Sequence, residues 1–418
     1  MHFGFSHRSP KQIGHLSKLG RRCFARCDMS MKIGAFVIGI CALVAAACAA
    51  DAPDAHSTKQ PELTAAASSS TTYMTETTNE REVASSDAED TQAFQAPSTT
   101  SPGSDPEKSS SKKTIAPYRG TPAEPTVWSQ PRLALKVDNA PTAIPQEGLQ
   151  KADIVFEELV EGGLTRFLAI FHSQVPEFVG PIRSGRSSDI PLLMPFDGAF
   201  FGWSGSNWAF RRLLDTVAVN DVGVYENPTQ YWRKGDRPSP SNLWARSAQL
   251  LEEVESETSS FEQLWPFQEP VEQQLRADQK VAGVEVDWGS TDVSFRWSDN
   301  QKTWKRFQNS EQHLALTGEG DEVQITAENV IIQFTKYVLT NEVDSNGARI
   351  PLAQLSEGSG TAWILKNGAI TEGRWIKPNI TVHTRFLDET GNSIPMTPGA
   401  TWVLLAPRDT ATIIDIDD

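Results

Sequence analysis

Cysteine is scarce in this 418-residue sequence, and none follows residue 48. The four cysteines are Cys23, Cys27, Cys41 and Cys48. The chain beyond Cys48 therefore cannot contain an internal disulfide, a cysteine-ligated zinc site or a thiol nucleophile. Basic residues are also in deficit, because 38 Lys and Arg stand against 53 Asp and Glu and the formal charge is −15. This balance argues against a nucleic-acid-binding protein, since neutralising phosphates requires a clustered surplus of Lys and Arg.

The motifs of several enzyme classes are missing as well. The sequence contains no Gly-x-x-x-x-Gly-Lys-Ser/Thr motif, no His-x-x-x-His pair and no calcium-loop spacing of acidic residues. His172, His313 and His383 lie on separate strand-like segments, and the Gly-Trp-Ser-Gly-Ser run around Ser204 lacks the final glycine of a nucleophile elbow. We therefore expect no metal, no cofactor and no Ser-His-Asp triad.

The beginning of the sequence has the order of a bacterial lipoprotein signal. Lys32 precedes an apolar run over residues 33–44, and three alanines then precede Cys48. This order predicts cleavage before Cys48 and attachment of lipid to that residue. The alternative is an uncleaved membrane anchor, since residues 33–50 are mostly apolar. Both alternatives place the remaining chain outside the cytoplasmic membrane, whether translation starts at Met1, Met29 or Met31.

A segment poor in large apolar side chains follows the signal. Ser and Thr account for 24 of the 75 residues from 51 to 125, and the only aromatic residues there are Tyr73, Phe94 and Tyr118. Such a composition cannot bury enough apolar surface to offset the entropy lost on ordering. We therefore predict a disordered tether over residues 48–125, after an N-terminal extension and signal over residues 1–47.

From residue 126 the sequence acquires the patterns of a folded domain. Strand-like runs cover residues 132–137, 153–160, 165–171 and 198–203, and the glycines after Glu161 predict a hairpin between the second and third runs. A helical pattern follows, with Ser206 or Asn207 as its N-cap, and a second amphipathic helix is expected over residues 243–255. We therefore predict an α+β fold with a mixed α/β domain over residues 126–268.

The last third of the sequence is almost entirely strand-like. Pro266 and Pro270 mark the junction, and a β-rich domain is expected over residues 278–412, built as a sandwich or a curled sheet. Tryptophans in this domain are more typical of a core than of a sugar-stacking surface. Among them, Trp304 is the surface candidate because Lys302, Lys305 and Arg306 flank it.

Several stretches resemble a known family. They cover residues 137–139, 152–157, 161–167, 180–184, 242–244, 358–362, 373–375 and 399–402. In their sequence and order they resemble the YerB-type lipoproteins, and the resemblance extends over roughly residues 128–410. It implies two consecutive family domains, N-terminal over residues 126–268 and C-terminal over residues 278–412, behind a lipid anchor. The resemblance implies no reaction.

The residues best suited to bind a ligand fall in the first domain. They are Asp138, Asn139, Arg166, Arg183, Ser184, Arg186, Ser204 and Ser206. Arginine forks bind carboxylate or phosphate through two hydrogen bonds, and free N–H groups at a helix start favour anions. Helix starts are expected near Asp189 and after Ser206. We therefore predict a cleft for an anionic ligand. The alternative is that Arg183 and Arg186 pair with Glu157 and Glu161 and hold the sheet edges together.

An enzymatic role rests on the carboxylates of the same region. Two of Asp138, Glu157 and Glu161 could divide the acid and base roles in glycan cleavage if they lay about 5–10 Å apart with unequal pKa values. The prediction favoured by the sequence is nevertheless non-catalytic binding or scaffolding at the cell envelope, and a cell-wall glycan hydrolase or transferase is the alternative. The expected partners are the membrane, through lipid on Cys48, and an anionic wall polymer or an envelope protein, with no nucleic acid.

Overall fold

The computed structural model of the chain describes residues 114–252, 262–268 and 279–417. In the first half, the strands are β1 Thr114–Ile115, β2 Pro122–Ala123, β3 Leu133–Asp138, β4 Gln146–Glu147, β5 Ile154–Leu159, β6 Thr165–Phe171, β7 Phe178–Val179, β8 Phe200–Gly202, β9 Asn220–Asp221, β10 Tyr231–Arg233 and β11 Leu243–Arg246. The α-helices described there are α1 Ile190–Leu193, α2 Trp208–Leu214 and α3 Ser247–Leu250. Single 3-10 turns lie at Pro125–Ser129, Pro141–Ala143, Leu149–Lys151, Glu161–Gly163, Ser187–Asp189 and Pro228–Gln230.

The second half is described entirely as strands and connecting loops. The strands are β12 Gln279–Lys280, β13 Gly283–Asp287, β14 Asp292–Ser298, β15 Thr303–Gln308, β16 Glu311–Gln312, β17 Leu314–Leu316, β18 Glu322–Gln324, β19 Thr326–Ala327, β20 Asn329–Gln333, β21 Tyr337–Val343, β22 Arg349–Ala353, β23 Gly358–Lys366, β24 Ala369–Lys377, β25 Arg385–Leu387, β26 Thr401–Leu404 and β27 Ala411–Ile414. The predicted β-rich character of the second half is therefore confirmed. The described helices of the first half have only four to seven residues, so β structure dominates there as well.

The largest sheet contains strands from both halves of the chain. Its order is β12-β24-β23-β20-β26-β5-β6-β3-β8-β9, with β25 also paired to β24. Strand β26 lies between β20 and β5 and runs parallel to both. The described residues from 114 onward accordingly fall in one compact unit. The two ranges that the sequence separates, 126–268 and 278–412, thus share their main sheet.

Alternation along the central strands explains why both faces of this sheet are covered. In β3, Leu133, Leu135 and Val137 enter one core, and Ala134 enters the other. The first core is shared with a second sheet of order β16-β15-β14-β13-β27, with β19 beside β15. The second core includes residues of α1 and α2. The charged residues at the ends of β3, β5 and β6 are therefore held by packing on both sides.

Residues 114–125 belong to the fold, although composition predicts a tether there. Strand β1 pairs with β2, and Tyr118 is only 1% exposed. Its ring centroid lies 5.1 Å from that of His172 and 5.7 Å from that of Phe196. Arg119 Nη1 also lies 3.6 Å from Asp153 Oδ1. The predicted tether is wrong for these residues, because one buried aromatic ring and its neighbours tie them to the domain. The remainder of the tether, the signal over residues 1–47 and Cys48 lie outside the described residues.

The helix expected over residues 243–255 is wrong at its beginning. Leu243–Arg246 is strand β11, which pairs with β10 on one side and β7 on the other. Pairing on both edges overrides the helical spacing of the apolar residues. Only α3 follows as a helix, and residues 253–255 lie outside the described residues.

The first predicted helix is confirmed as α2, and its N-cap is Asn207, whose Oδ1 accepts a hydrogen bond from Phe210 N at 2.9 Å.

Two expectations about the second half also change. Trp304 is fully buried, so it cannot be the surface tryptophan, whereas its cross-strand partner Trp297 is half-buried.

The junction around Pro266 is packed rather than free. Trp265 is 4% exposed, and the Pro266 carbonyl accepts a hydrogen bond from Met396 N at 2.8 Å.

Candidate functional site

Three arginines meet where β3 ends and β6 begins. Asp138 is the cross-strand partner of Arg166, and Arg166 is the cross-strand partner of Glu158. Cross-strand partners point to the same face of a sheet. The loop after β7 brings Arg183 and Arg186 to this face, because Arg183 N donates to the Lys136 carbonyl at 2.8 Å. We call Arg166, Arg183 and Arg186 the arginine cluster.

Two members of the arginine cluster are neutralised by carboxylates. Arg183 Nε lies 3.2 Å from Asp138 Oδ2. Arg186 donates two hydrogen bonds to Glu161, from Nε at 2.6 Å and from Nη2 at 2.9 Å. This forked geometry is the strong form of an arginine–carboxylate pair. The expected pairing of Arg186 with Glu161 is therefore present, while Arg183 pairs with Asp138 rather than with Glu157.

The third member, Arg166, has no such neutralising partner. Its Nη1 donates to the Ser184 carbonyl at 3.0 Å, and no carboxylate lies within ion-pair distance of it in the described part of the chain. Arg166 is 7% exposed. Burial lowers the pKa of Arg166 to about 10, and the positive charges of Arg186 and Arg183 add to the shift. The charges of Asp138 and Glu161 attract Arg166 only from beyond ion-pair distance, so an additional anion would be the first to contact this guanidinium directly.

The predicted serines lie beside the arginine cluster on two joined loops. Ser204 N donates to the Arg183 carbonyl at 3.0 Å, and Gly185 N donates to the Gly205 carbonyl at 2.9 Å. A Cβ placed on Gly205 would lie 3.6 Å from Ser184 Oγ and 3.8 Å from the Tyr225 hydroxyl. The Ser184 hydroxyl and the Tyr225 hydroxyl therefore both lie close to Gly205. Tyr225 is a neighbour that sequence spacing did not reveal.

At each expected helix start, a side chain of this chain accepts a hydrogen bond from one of the backbone N–H groups. At the first, Asp189 occupies the position, since its Oδ2 accepts from Arg186 N at 2.8 Å. At the second, Asn207 caps α2 with its own side chain, and Ser206 Oγ donates to the Asn207 carbonyl at 3.0 Å. The helix starts are therefore partly satisfied from within the chain, and the arginine cluster is the better candidate for binding an anion at this edge.

Asn139 and Glu157 belong to a separate network on the opposite face. Asn139 Nδ2 donates to Thr165 Oγ1 at 2.7 Å, and Thr165 Oγ1 donates to Glu157 Oε1 at 2.8 Å. Arg306, from the second half of the chain, donates from Nη2 to Glu157 Oε1 at 2.8 Å. Asn139, Glu157 and Arg306 are completely buried. We call these residues, together with Gln146, Gln308 and His313, the interdomain network.

The interdomain network removes Asn139 and Glu157 from the predicted cleft. Along β5, Glu158 faces Arg166, so its neighbour Glu157 faces the other side of the sheet. Asp138 and Glu157 consequently lie on opposite faces and cannot act on one bond as an acid and base pair. Glu161, the third candidate, is held by Arg186. The geometry gives no support to the hydrolase or transferase alternative.

A buried ionic group next to the arginine cluster was not foreseen. Lys136 Nζ donates to Glu158 Oε1 at 2.5 Å and to Asp189 Oδ1 at 2.7 Å, and all three side chains are fully buried. Burial raises the pKa of Glu158 to about 7, and the nearby charge of Asp189 adds to this rise. The alternation of β3 and β5 contained the signal, since Lys136 and Glu158 fall on the face from which these two strands contribute Ala134 and Phe156 to the second core.

Ser241 was also missed, although it completes the surroundings of Asp138. Its Oγ donates to Asp138 Oδ2 at 2.8 Å, and it lies 2.9 Å from Thr142 Oγ1. Asp138 is 2% exposed. The Asp138 carboxylate is therefore shared between a hydrogen bond from Ser241 and an ion pair with Arg183.

The described ranges contain neither a metal-binding cluster nor a helix able to span a membrane. Residues 114–252, 262–268 and 279–417 contain no group of three or more His, Cys, Asp or Glu side chains arranged to hold a metal ion. None of the helices in those ranges is long and apolar enough to cross a membrane.

Comparisons with known proteins agree on one family. Residues 119–260 match the "Protein of unknown function (DUF3048) N-terminal domain", and residues 284–403 match the "Protein of unknown function (DUF3048) C-terminal domain". The "Putative lipoprotein YerB" of Bacillus subtilis is 31% identical over 310 residues, which cover 72% of this chain and 89% of that protein. The crystal structure of YerB protein from Bacillus subtilis has a TM-score of 0.60 and 28% identity, and the match covers 72% of this chain and 99% of that one. The chain therefore belongs to the DUF3048 family, with its N-terminal and C-terminal domains in consecutive order.

Proposed function

We propose that this chain is a cell-envelope lipoprotein that binds an anionic ligand through the arginine cluster. The name of the Bacillus subtilis relative and the signal-like order before Cys48 support the lipoprotein assignment and an anchor on the outer face of the cytoplasmic membrane. The charge of Arg166 carries the binding assignment. It is mostly buried, repelled by the guanidinium groups of Arg186 and Arg183, and attracted by Asp138 and Glu161 only from beyond ion-pair distance.

The chemistry of the ligand follows from that arrangement. Guanidinium groups bind carboxylate and phosphate oxygens through paired hydrogen bonds. Arg183 has a side chain that is 24% exposed, so it can share a ligand with Arg166 without leaving Asp138. The Ser184 hydroxyl lies at the same edge. An anionic group of a cell-wall polymer, either phosphate or carboxylate, fits these donors.

Binding of the full-length protein to isolated Bacillus subtilis cell walls tests this proposal. We expect wild-type binding that weakens with salt, because exposed charges are screened within about 10 Å at 0.1 M ionic strength. Arg166→Gln should weaken binding by about tenfold or more, since a hydrogen bond to a charged group contributes about 1.5–3 kcal/mol. Walls stripped of phosphate-containing polymers distinguish the two ligand chemistries. Retained binding indicates a carboxylate, and lost binding indicates a phosphate.

The matched control is Arg212→Gln, which removes the same charge from an exposed position on α2. It should bind as wild type does. Arg166→Gln should also keep a cooperative unfolding transition, because the substitution relieves repulsion within the arginine cluster. Equal binding by wild type and folded Arg166→Gln protein would refute the anion site.

A further inference from the structure

A groove of about 810 Å³ crosses the second half of the molecule. Its walls include the turn between β14 and β15, the turn between β23 and β24 and the segment around Thr397. A volume of this size is sufficient for a drug-sized ligand. The residues that decide its chemistry are Lys280, Trp297, Asp299, Lys302, Glu328 and Asn367.

Trp297 gives the groove a fixed aromatic wall. Its Nε1 donates to Asp299 Oδ1 at 3.0 Å, and its ring lies 5.0 Å from the buried ring of Trp304 at an interplanar angle of 55°. A Cβ at Gly368 would come within 2.7 Å of Trp297 Nε1, so only glycine allows the β23–β24 turn to pack against the indole. The ring is thus pre-oriented, and its exposed part faces the groove.

The polar residues of the groove carry balanced charge. Lys280 and Lys302 stand against Asp299 and Glu328. Lys302 Nζ lies 3.4 Å from Asp299 Oδ1, and Glu328 Oε2 accepts a hydrogen bond from Ala400 N at 2.6 Å. In contrast with the arginine cluster, this groove has no net charge that would select an ion.

The amide of Asn367 adds a neutral hydrogen-bonding group. Its Nδ2 donates to Gln268 Oε1 at 3.2 Å, which fixes the amide plane. Asn367 is exposed, and its φ of 51° belongs to the tight turn between β23 and β24. An oriented amide beside an indole face matches a ligand that has both an apolar face and many hydroxyl groups.

We propose that this groove binds a neutral saccharide, with the sugar ring stacked on Trp297 and its hydroxyl or acetamido groups bonded to the surrounding polar side chains. A peptide would present charged termini or an extended backbone. Nothing in this charge-balanced groove favours the former. Its strand residues do not suit the latter, because Trp297 lies on β14, which is paired on both sides, and Lys280 lies on β12, which has only two residues. The proposal concerns a second site and does not depend on the arginine cluster.

Calorimetric titration of the full-length protein with chitohexaose and cellohexaose tests the proposal. Binding of at least one of these neutral oligosaccharides is expected. Trp297→Ala should weaken it about tenfold, and Asn367→Gly should weaken it about fivefold through the lost amide. Asn367→Gly preserves the positive φ of the turn, so it remains informative even if Trp297→Ala fails to fold.

The matched control is Trp208→Ala, because Trp208 is 81% exposed and lies outside the groove. It should bind as wild type does, and so should Arg166→Gln, which separates this outcome from that of the proposed function. Failure of folded wild-type protein to bind either oligosaccharide would overturn the proposal. So would binding that is unchanged in Asn367→Gly and in folded Trp297→Ala, or binding of a neutral peptide of similar size in place of both sugars.

Discussion

Replacing Arg306 with methionine should destabilise the entire described fold rather than the second half alone. The Arg306 guanidinium is completely buried and donates to Glu157 Oε1 at 2.8 Å and to Gln308 Oε1 at 2.9 Å. It also contacts His313 Nδ1. Because Glu157 belongs to β5 and Arg306 to β15, this one side chain connects the two family domains.

The expected magnitude follows from what methionine leaves behind. Glu157 would remain fully buried with only the Thr165 hydroxyl as a donor to its Oε1. Removing one partner of a buried ion pair costs about 3–5 kcal/mol. This is a large fraction of the roughly 5–15 kcal/mol that stabilises a typical folded protein. The double variant Glu157→Gln/Arg306→Met should cost clearly less than the sum of its single variants, since it leaves no unpaired charge.

Urea unfolding at pH 7, followed by tryptophan fluorescence and by far-ultraviolet circular dichroism, measures these changes. Wild type should show one transition by both probes, because the main sheet is shared. Arg306→Met should lower the midpoint by about 1 M or more, given a slope of about 3 kcal/mol per M. The control is Arg296→Met, an exposed arginine on the neighbouring strand β14, with an expected change of about 0.5 kcal/mol or less.

Two results would refute this reasoning. One is a change of less than about 1 kcal/mol in Arg306→Met, which would mean that the buried pair contributes no more than a surface pair does. The other is a separate early transition in which only the second half of the chain unfolds. In that case the interdomain network would not couple the two halves.

Two further predictions concern the first half of the chain. The pKa of Glu158 rises from 4.5 to about 7 on folding, so the folded state holds a proton that the unfolded state releases. The corresponding stability is present below pH 4.5 and is lost as the pH rises through 7, by about 3 kcal/mol in total. The free energy of unfolding of Glu158→Gln should therefore rise relative to wild type by that amount between pH 4.5 and 8, and a constant difference would contradict the assignment. Tyr118→Ala should lower the free energy of unfolding by about 3–5 kcal/mol, measured by thermal or urea unfolding. The control is Tyr225→Ala, at a 61% exposed ring, which should change the free energy of unfolding by less than about 1 kcal/mol. Similar small effects in both variants would show that residues 114–125 are not part of the folded core.

Strand alternation was the most informative signal in the sequence. It located β3, β5 and β6 and the hairpin between the last two, because residues on a two-sided buried sheet must alternate between two cores. The apolar pattern was misleading at β11, because residues with the spacing of a helix form a strand there, paired with β10 on one side and β7 on the other. Composition was misleading at residues 114–125, because its average over a long polar segment concealed the buried ring of Tyr118.

The candidate site was only partly predictable for a different reason. The arginines, Asp138 and the serines come together because they lie on adjacent strand ends and on loops that connect them. The partner of Glu157, in contrast, is Arg306, which is 149 residues away in the sequence. Ion pairs over such separations depend on topology, and local spacing contains no information about them. The same limitation explains why Trp304, flanked by basic residues, is buried while Trp297 lines the groove.

The position of β26 has a consequence for the order in which the molecule can form. Residues 401–404 supply the strand between β20 and β5, so the first half of the main sheet has an open edge at β5 until those residues are available. An open edge invites pairing with other chains. Synthesis must therefore reach residue 404 before the sheet can close. Until then the edge of β5 is available to other chains, so the order of synthesis leaves the first half of the sheet exposed to incorrect pairing.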